Sequence, residues 1–170
     1  MDNAHLIWCH GSLSRPWGAK SLALAEVAGE AGLVMEGPDF SDLEDPDLRV
    51  ERLAGIMDGL DGPVLLAGSS MGGYVAAAAA DRADVRGLFL LAPAFYLDGY
   101  AVRSFSSLPR SVTVVHGWDD DVVPADNSVR FAREHGARLH LLPDGHRLSE
   151  SIGDLTALFA RFLATAREGL

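Results

Sequence analysis

The sequence predicts an α/β protein with a doubly wound, mainly parallel six-stranded sheet and helices on both faces. Short apolar runs recur along the chain without the alternation of a half-exposed sheet, and segments with helical spacing lie between them. Uninterrupted apolar runs are typical of strands that are buried on both faces. Strands that alternate with helices predict a parallel sheet, whose ligand site lies at the carboxyl ends of the strands. We therefore expect functional residues directly after strands.

Six apolar runs are the predicted strands. They span residues 5–9, 33–35, 64–67, 88–91, 112–115 and 139–142. Each is short and rich in Leu, Val and Ile, as expected for a buried strand.

Five main helices fit the intervening segments. They span residues 19–31, 47–60, 71–82, 124–135 and 150–166, with a short irregular or helical piece near 97–106. In the second helix the i, i+3, i+4, i+7 pattern of an apolar face is met by Leu53, Ile56, Met57 and Leu60. Gly32 and Gly136 stand where helices should end, and Pro124 stands where one should begin.

Length and composition narrow the classes of function. A chain of 170 residues is expected to form one domain, residues 1–170, with a single core. Its 14 Lys and Arg against 24 Asp and Glu give a formal charge of −10, which argues against nucleic acid or an anionic membrane as partner. Cys9 is the single cysteine, and the N-terminus lacks a secretory pattern, so we expect a cytoplasmic protein without disulfides.

The strongest motif is a G-x-S-x-G sequence formed by Gly68, Ser70 and Gly72. A predicted strand precedes it and an alanine-rich helix follows, which is the context of a nucleophile elbow. Glycines are needed there because a Cβ would clash with the neighbouring strand or helix. The alternative is a glycine-rich turn that caps a helix or binds a phosphate at its N-terminus. Neither G-x-G-x-x-G nor a Walker lysine is present to favour that alternative.

A nucleophilic serine needs a base and an acid that orients it. His146 is the leading base, since it follows the last predicted strand; the alternative is a surface turn residue. Three consecutive carboxylates, Asp119, Asp120 and Asp121, follow the strand at 112–115. They are compatible with a solvated acidic loop, a site for a hard cation, or one inward aspartate with two solvated neighbours.

These segments resemble the α/β-hydrolase superfamily, and the chain is similar to its small bacterial, single-domain members without a lid. The elbow GSSMG, the acid loop HGWDDDVVP at 116–124 and the base loop DGH at 144–146 match the superfamily pattern in the order Ser, Asp, His. The resemblance implies that Asp120 is the acid. It also implies that the backbone N–H groups of Ser12 and Met71 form the oxyanion hole, with Gly11 or Leu13 as alternatives to Ser12. The first two antiparallel strands of larger members are expected to be absent here, since the predicted strand before His10 and Gly11 begins at residue 5.

The implied function is a serine esterase-like hydrolase that cleaves small carboxylic esters or thioesters and needs neither a metal nor an organic cofactor. The alternatives are a non-catalytic binding protein of the same fold and a serine amidase or peptidase. A small-molecule ester is the expected partner, and a monomer or homodimer the expected state.

The substrate pocket has less support in the sequence. Phe95, Tyr96 and Tyr100 follow a strand, where they could form an apolar pocket or plug the core. Arg15, Trp17 and Lys20, in the loop beside the oxyanion segment, could contact an acidic or aromatic part of a substrate, or could instead be solvated or cap a helix.

Overall fold

A six-stranded sheet forms the centre of the structure, a computed structural model that describes residues 3–167. The strand order is β2-β1-β3-β4-β5-β6, and every neighbouring pair is parallel. The strands are β1 (His5–Cys9), β2 (Met35–Glu36), β3 (Val64–Ser69), β4 (Val85–Leu91), β5 (Ser111–Gly117) and β6 (Arg138–Leu142). The predicted fold class is confirmed, with a sheet that is entirely rather than mainly parallel.

All six predicted strands overlap observed ones, but several are longer than the apolar runs. β3 continues to Ser69 because Gly68 and Ser69 pair with Leu90 and Leu91 on β4. β4 begins at Val85, three residues before the prediction, because Gly87 pairs with β5 although it adds no side chain to the core. Backbone pairing rather than side-chain hydrophobicity sets these ends.

The described part of the chain contains five helices. They are α1 (Ala19–Glu30), α2 (Pro46–Asp58), α3 (Met71–Ala78), α4 (Ala125–His135) and α5 (Ile152–Arg167). α3 ends four residues before the prediction, since the chain turns after Ala78. The segment near 97–106 is irregular. No helix within residues 3–167 has the length and apolar character needed to cross a bilayer.

The helices divide between the two faces of the sheet. α1 and α5 pack on one face, and α2, α3 and α4 pack on the other. In β1, Leu6 and Trp8 lie in the core under the first pair, whereas Ile7 and Cys9 lie in the opposite core. Burial on both faces explains why the strands are continuous apolar runs.

The strand order changes direction between β1 and β3. From β1 the chain first moves outward to β2, then returns to β3 and proceeds to the other edge. The loops after these two strands therefore diverge and leave a crevice at their carboxyl ends, the usual ligand position in such sheets. Ser12 follows β1 and Ser70 follows β3, so both lie at this crevice.

Candidate active site

Ser70 occupies a strained turn between β3 and α3. Its φ of 55° and ψ of −119° are unusual for a residue with a side chain, and such a conformation costs about 1–3 kcal/mol. The backbone holds it in place: Ser70 N donates to Leu91 O at 2.9 Å, and the Ser70 carbonyl accepts from Gly73 N and Ala94 N, each at 3.0 Å. This turn projects the Ser70 hydroxyl from the carboxyl edge of the sheet.

The glycines of the elbow allow close backbone approach. A Cβ on Gly68 would overlap the Gly72 carbonyl group of α3, and a Cβ on Gly72 would overlap the Cys9 carbonyl group of β1. Both clashes involve backbone atoms, which cannot move aside as a flexible side chain can. β3, α3 and β1 can therefore approach one another next to Ser70 only because positions 68 and 72 carry no Cβ atom.

Ser70, His146 and Asp120 form a continuous hydrogen-bonded chain. His146 Nε2 lies 2.9 Å from Ser70 Oγ, and His146 Nδ1 lies 2.7 Å from Asp120 Oδ2. When Nδ1 carries the ring proton and hydrogen-bonds through it to the carboxylate, Nε2 is unprotonated and can accept the proton of the serine hydroxyl. The structure thus brings together the three residues that the sequence predicts as nucleophile, base and acid.

The Asp120 carboxylate is fully buried and receives hydrogen bonds on both oxygens. Oδ1 accepts from Val122 N at 2.9 Å and Val123 N at 2.8 Å, while Oδ2 accepts from His146 and lies 2.9 Å from His116 Nε2. Burial alone would raise the pKa of Asp120, but the hydrogen bonds from His146 and the two backbone N–H groups outweigh it and lower the pKa. Asp120 is therefore held as a carboxylate.

His116 is a second imidazole on the same carboxylate. Its Nε2–H is shared between Asp120 Oδ2 and Val123 O, both at 2.9 Å, and its Nδ1 lies 2.6 Å from Ser128 Oγ and accepts from it. Complete burial lowers the pKa of His116, which favours the neutral ring that this arrangement requires. A neutral His116 orients Asp120 without adding a charge.

The base loop is fixed by its own aspartate. Asp144 Oδ2 accepts from Glu150 N at 2.9 Å and from Ser151 Oγ at 2.8 Å, which closes the loop that carries His146. Asp119 N donates to Asp144 O at 3.1 Å, so the acid and base loops are joined through the backbone. Loop motion that separated base from acid would break these bonds.

Asp119 and Asp121 flank the inward Asp120 and are exposed. This arrangement corresponds to one inward aspartate with two solvated neighbours. Among residues 3–167 no group of three His, Cys, Asp or Glu side chains is arranged to hold a metal ion.

The loop after β1 is held by a buried arginine on α2. Arg49 is 1% exposed and donates to three successive carbonyl groups at 3.2–3.3 Å, those of His10, Gly11 and Ser12. Because these carbonyl groups accept from Arg49, N–H groups of the loop remain free to donate hydrogen bonds into the crevice. The N–H groups of Ser12 and of Met71, at the start of α3, have no acceptor within the described residues.

A cavity of about 660 Å³ lies beside Ser70, on the side of the loop that follows β1. Its walls include Trp8, Lys20 and His146, and two exposed apolar side chains, Leu13 and Val122, stand at its mouth. The volume falls within the ordinary range of small-molecule sites, about 300–1,000 Å³.

The aromatic residues predicted as a substrate pocket lie elsewhere. Phe95 is fully buried and stacks on Phe131 with ring centroids 4.2 Å apart, so it plugs the core. Tyr96 donates to Glu134 on α4 at 3.0 Å, and Tyr100 packs edge-on against a buried tyrosine of α3. None of the three lines the cavity at Ser70, because the chain after β4 turns toward α4 rather than toward α1.

The sequence singles out neither Arg49 nor Trp8 as a residue of the site, and it marks His116 only as a possible support of its loop and as the first residue of the acid-loop pattern. Arg49 has a visible signal, because it lies four and eight residues before Leu53 and Met57 and so shares their apolar face. His116 stands four residues before Asp120, at the end of an apolar run. Trp8 has no signal that distinguishes it from an ordinary core residue.

The sequence and structure of the chain are similar to those of known proteins. Residues 5–101 match the model of the uncharacterised protein family UPF0227. A candidate hydrolase of the α/β superfamily from Xanthomonas campestris pv. campestris is 37% identical, with a TM-score of 0.86 over 95% of this chain and 98% of that chain. No curated protein shows significant sequence similarity to the chain.

More distant structures share the fold. Est1E from Butyrivibrio proteoclasticus is 18% identical, with a TM-score of 0.77 over 98% of this chain and 88% of its own. An α/β serine hydrolase without lid from Xanthomonas campestris is 21% identical, with a TM-score of 0.71 over 95% of this chain and 81% of its own. The chain belongs to the α/β-hydrolase superfamily, in its small lidless form, and to the family UPF0227.

Proposed function

We propose that the protein is a serine hydrolase that cleaves small carboxylic esters or thioesters through an acyl-enzyme. The observation that carries this proposal is the unbroken hydrogen-bonded chain from Ser70 through His146 to Asp120, at 2.9 and 2.7 Å, on a strained elbow. Such strain is retained where it serves a function, and here it presents the hydroxyl to solvent and to the base at once.

The first half of the reaction forms the acyl-enzyme. Ser70 Oγ attacks the ester carbonyl carbon while His146 Nε2 accepts the hydroxyl proton, and Asp120 stabilises the resulting imidazolium. The N–H groups of Ser12 and Met71 stabilise the negative charge on the carbonyl oxygen, an effect worth about 3–4 kcal/mol for one donor. His146 then protonates the leaving alcohol or thiol as the bond to the carbonyl carbon breaks.

The second half releases the acid. Water loses a proton to His146 Nε2 and attacks the acyl carbonyl; the proton then returns to Ser70 Oγ as the acid departs. Arg49 supports both halves, since it fixes the loop whose N–H group faces the developing charge. Besides the ester and water, the steps use only side-chain and backbone groups of the chain.

The mouth of the cavity suggests short or accessible substrates. Leu13 is fully exposed and Val122 is 59% exposed, and both line the cavity at Ser70. Apolar side chains in this position favour contact with an alkyl or aryl group of the ester. Residues 3–167 contribute no lid above them.

The test is hydrolysis of 4-nitrophenyl esters from acetate to decanoate by the wild type, Ser70→Ala and His146→Ala. We expect release of 4-nitrophenol that both substitutions reduce by several orders of magnitude, since each removes a reacting group. Ser106→Ala and His140→Ala are matched controls, because they change the same residue types outside the cavity and should keep full activity. A well-folded His146→Ala variant with full activity would remove His146 as the base.

A further inference from the structure

The cavity beside Ser70 contains hydrogen-bond donors that lack acceptors. Lys20 is the only lysine of the chain, and its Nζ donates to Ser69 Oγ and to Arg147 O, each at 3.0 Å. Both acceptors are neutral, and no carboxylate of the described residues lies within 4.0 Å of this ammonium group. An ammonium group carries three N–H bonds, so one of them remains for a ligand.

Ser69 supplies a second donor. Its oxygen accepts the Lys20 proton, and its own O–H has no acceptor within the described residues although the residue is 8% exposed. Ser69 directly precedes Ser70, and the two Cα atoms are therefore about 3.8 Å apart. The donor lies next to the proposed nucleophile.

Trp8 bounds the cavity beside these two donors. Its side chain lines the same cavity, the residue is 3% exposed, and its indole N–H is buried with no hydrogen-bond partner in the described structure. A buried donor without an acceptor costs free energy, so it is normally paired with protein, water or ligand. Because this N–H has almost no accessible surface, the indole ring forms a wall of the cavity, and the donors open to a ligand are those of Lys20 and Ser69.

The charge of Lys20 is not neutralised by the protein. Burial lowers the pKa of Lys20 to about 8, partly opposed by the charge of Asp144, so the amine remains mostly protonated at pH 7. The Asp144 carboxylate is already occupied by Gly145 N, Glu150 N and Ser151 Oγ. A chain with a formal charge of −10 therefore keeps a partly buried cation, without a counterion, next to its proposed nucleophile.

We propose that this cavity binds a carboxylate of the substrate through Lys20 and Ser69, so that the substrate is an ester that carries a free carboxylate near the scissile bond. The inference rests on the proposed function. A carboxylate matches one ammonium group in charge, and its oxygens can accept from several donors at once. Two ester types fit: monoesters of short dicarboxylic acids, with the carboxylate on the acyl side, and esters of hydroxy acids, with the carboxylate on the alcohol side.

The first experiment compares charged and neutral esters of the same shape. Monomethyl glutarate is paired with methyl 4-carbamoylbutanoate, and 3-acetoxypropanoate with 3-acetoxypropanamide, so that only the carboxylate changes to an amide. We expect the wild type to prefer the charged member of at least one pair. Lys20→Met should lower kcat/KM for that member about 10- to 100-fold more than for its neutral partner, the value of a charge-assisted hydrogen bond.

Arg133→Met is the matched control for net charge. Arg133 is exposed on α4 and does not line the cavity, so its loss should leave both members of each pair unchanged. Equal loss of charged and neutral ester in Lys20→Met, or wild-type preference for the neutral ester in both pairs, contradicts the proposal.

The second experiment does not depend on hydrolysis or on a Lys20 variant. Ser70→Ala protein is treated with an N-hydroxysuccinimide ester of acetic acid, and acetylation of the Lys20 peptide is measured by mass spectrometry with glutarate or glutaramide present. We expect glutarate to protect Lys20 and glutaramide not to. Equal acetylation in both overturns the carboxylate site, whether or not the protein hydrolyses esters. Protection without activity toward any ester instead retains the carboxylate site and rejects the proposed function.

Discussion

Asp120→Asn removes one charge and one acceptor from the site with little change of shape. In the wild type, both oxygens of the Asp120 carboxylate accept hydrogen bonds. Oδ1 accepts from two backbone N–H groups, and Oδ2 accepts from the ring N–H groups of His146 and His116. A carboxamide has a single acceptor oxygen, so either orientation of its NH₂ group faces two donors. If the NH₂ group faces His146, the ring takes the other tautomer, and Nε2 then carries a proton and cannot accept one from Ser70.

The size of the effect follows from these contacts. The wrong tautomer lowers activity by about 10⁴-fold in the chymotrypsin-like triad, and we expect a loss of kcat/KM of the same order in Asp120→Asn. In this orientation His146 accepts from the NH₂ group and His116 keeps its hydrogen bond to Val123 O, so the main loss is that of the charge-assisted hydrogen bonds, and the free energy of unfolding should fall by about 1–3 kcal/mol. Both values are measured on one preparation, by 4-nitrophenyl acetate hydrolysis and by urea unfolding.

Acid stability supplies a further check on the same variant. Because the pKa of Asp120 is lowered in the folded state, the unfolded chain binds more protons between the folded pKa and about 3.9, the ordinary value of an aspartate. The stabilising contribution of the carboxylate is therefore present above about pH 4 and is lost as the pH falls through the folded value. The difference in unfolding free energy between wild type and Asp120→Asn should shrink over that interval.

Asp121→Asn is the control, because that neighbour is exposed and should change neither activity nor stability appreciably. A folded Asp120→Asn variant with more than about a tenth of wild-type kcat/KM, where an effect of about 10⁴-fold is expected, would refute the assignment of Asp120 as the residue that orients His146.

Three other predictions concern the surroundings of Ser70. Arg49→Met should lower kcat/KM about 100-fold, because the loop that presents an oxyanion donor loses its support, while Arg52→Met on the same helix should not; ester hydrolysis measures both. Gly72→Ala should destabilise the fold by about 3 kcal/mol in urea unfolding, because its Cβ meets the Cys9 backbone, whereas Gly55→Ala in an open helical position should stabilise it by about 0.5–1 kcal/mol. Acetylation of Lys20 in the free protein should rise with pH and reach half its maximum near pH 8, since burial lowers the pKa of its amine; a midpoint near the ordinary value of about 10.4 would contradict this.

The sequence predicts the sheet well because both faces of each strand are buried. β1 was predicted at its observed bounds, since all its residues are apolar except His5 at its start. The ends of β3 and β4 were missed because Gly68 and Gly87 contribute backbone pairing but no apolar side chain. Hydrophobicity therefore locates strands, while their limits depend on the neighbouring backbone.

The contacts around Ser70 likewise divide into those that the sequence predicts and those that it does not. The order of Ser70, Asp120 and His146 along the chain, each after a strand, is visible in the sequence, since parallel strands bring their carboxyl ends to one edge. The direction in which a loop turns is not encoded in such a pattern, and Phe95 accordingly enters the core beneath α4 instead of lining the cavity. Arg49 reaches three carbonyl groups about 38 residues earlier in the chain, a long-range contact that no local spacing predicts.

The central claim is that Ser70 is an activated nucleophile. The most direct measurement is the intact mass of the wild type and of Ser70→Ala after incubation with a fluorophosphonate, followed by peptide mapping of the adduct. The proposed chain of hydrogen bonds to His146 and Asp120 predicts a single covalent adduct on Ser70 and none in Ser70→Ala. A well-folded wild-type protein that stays unmodified, or equal modification of the Ser70→Ala variant, would contradict it.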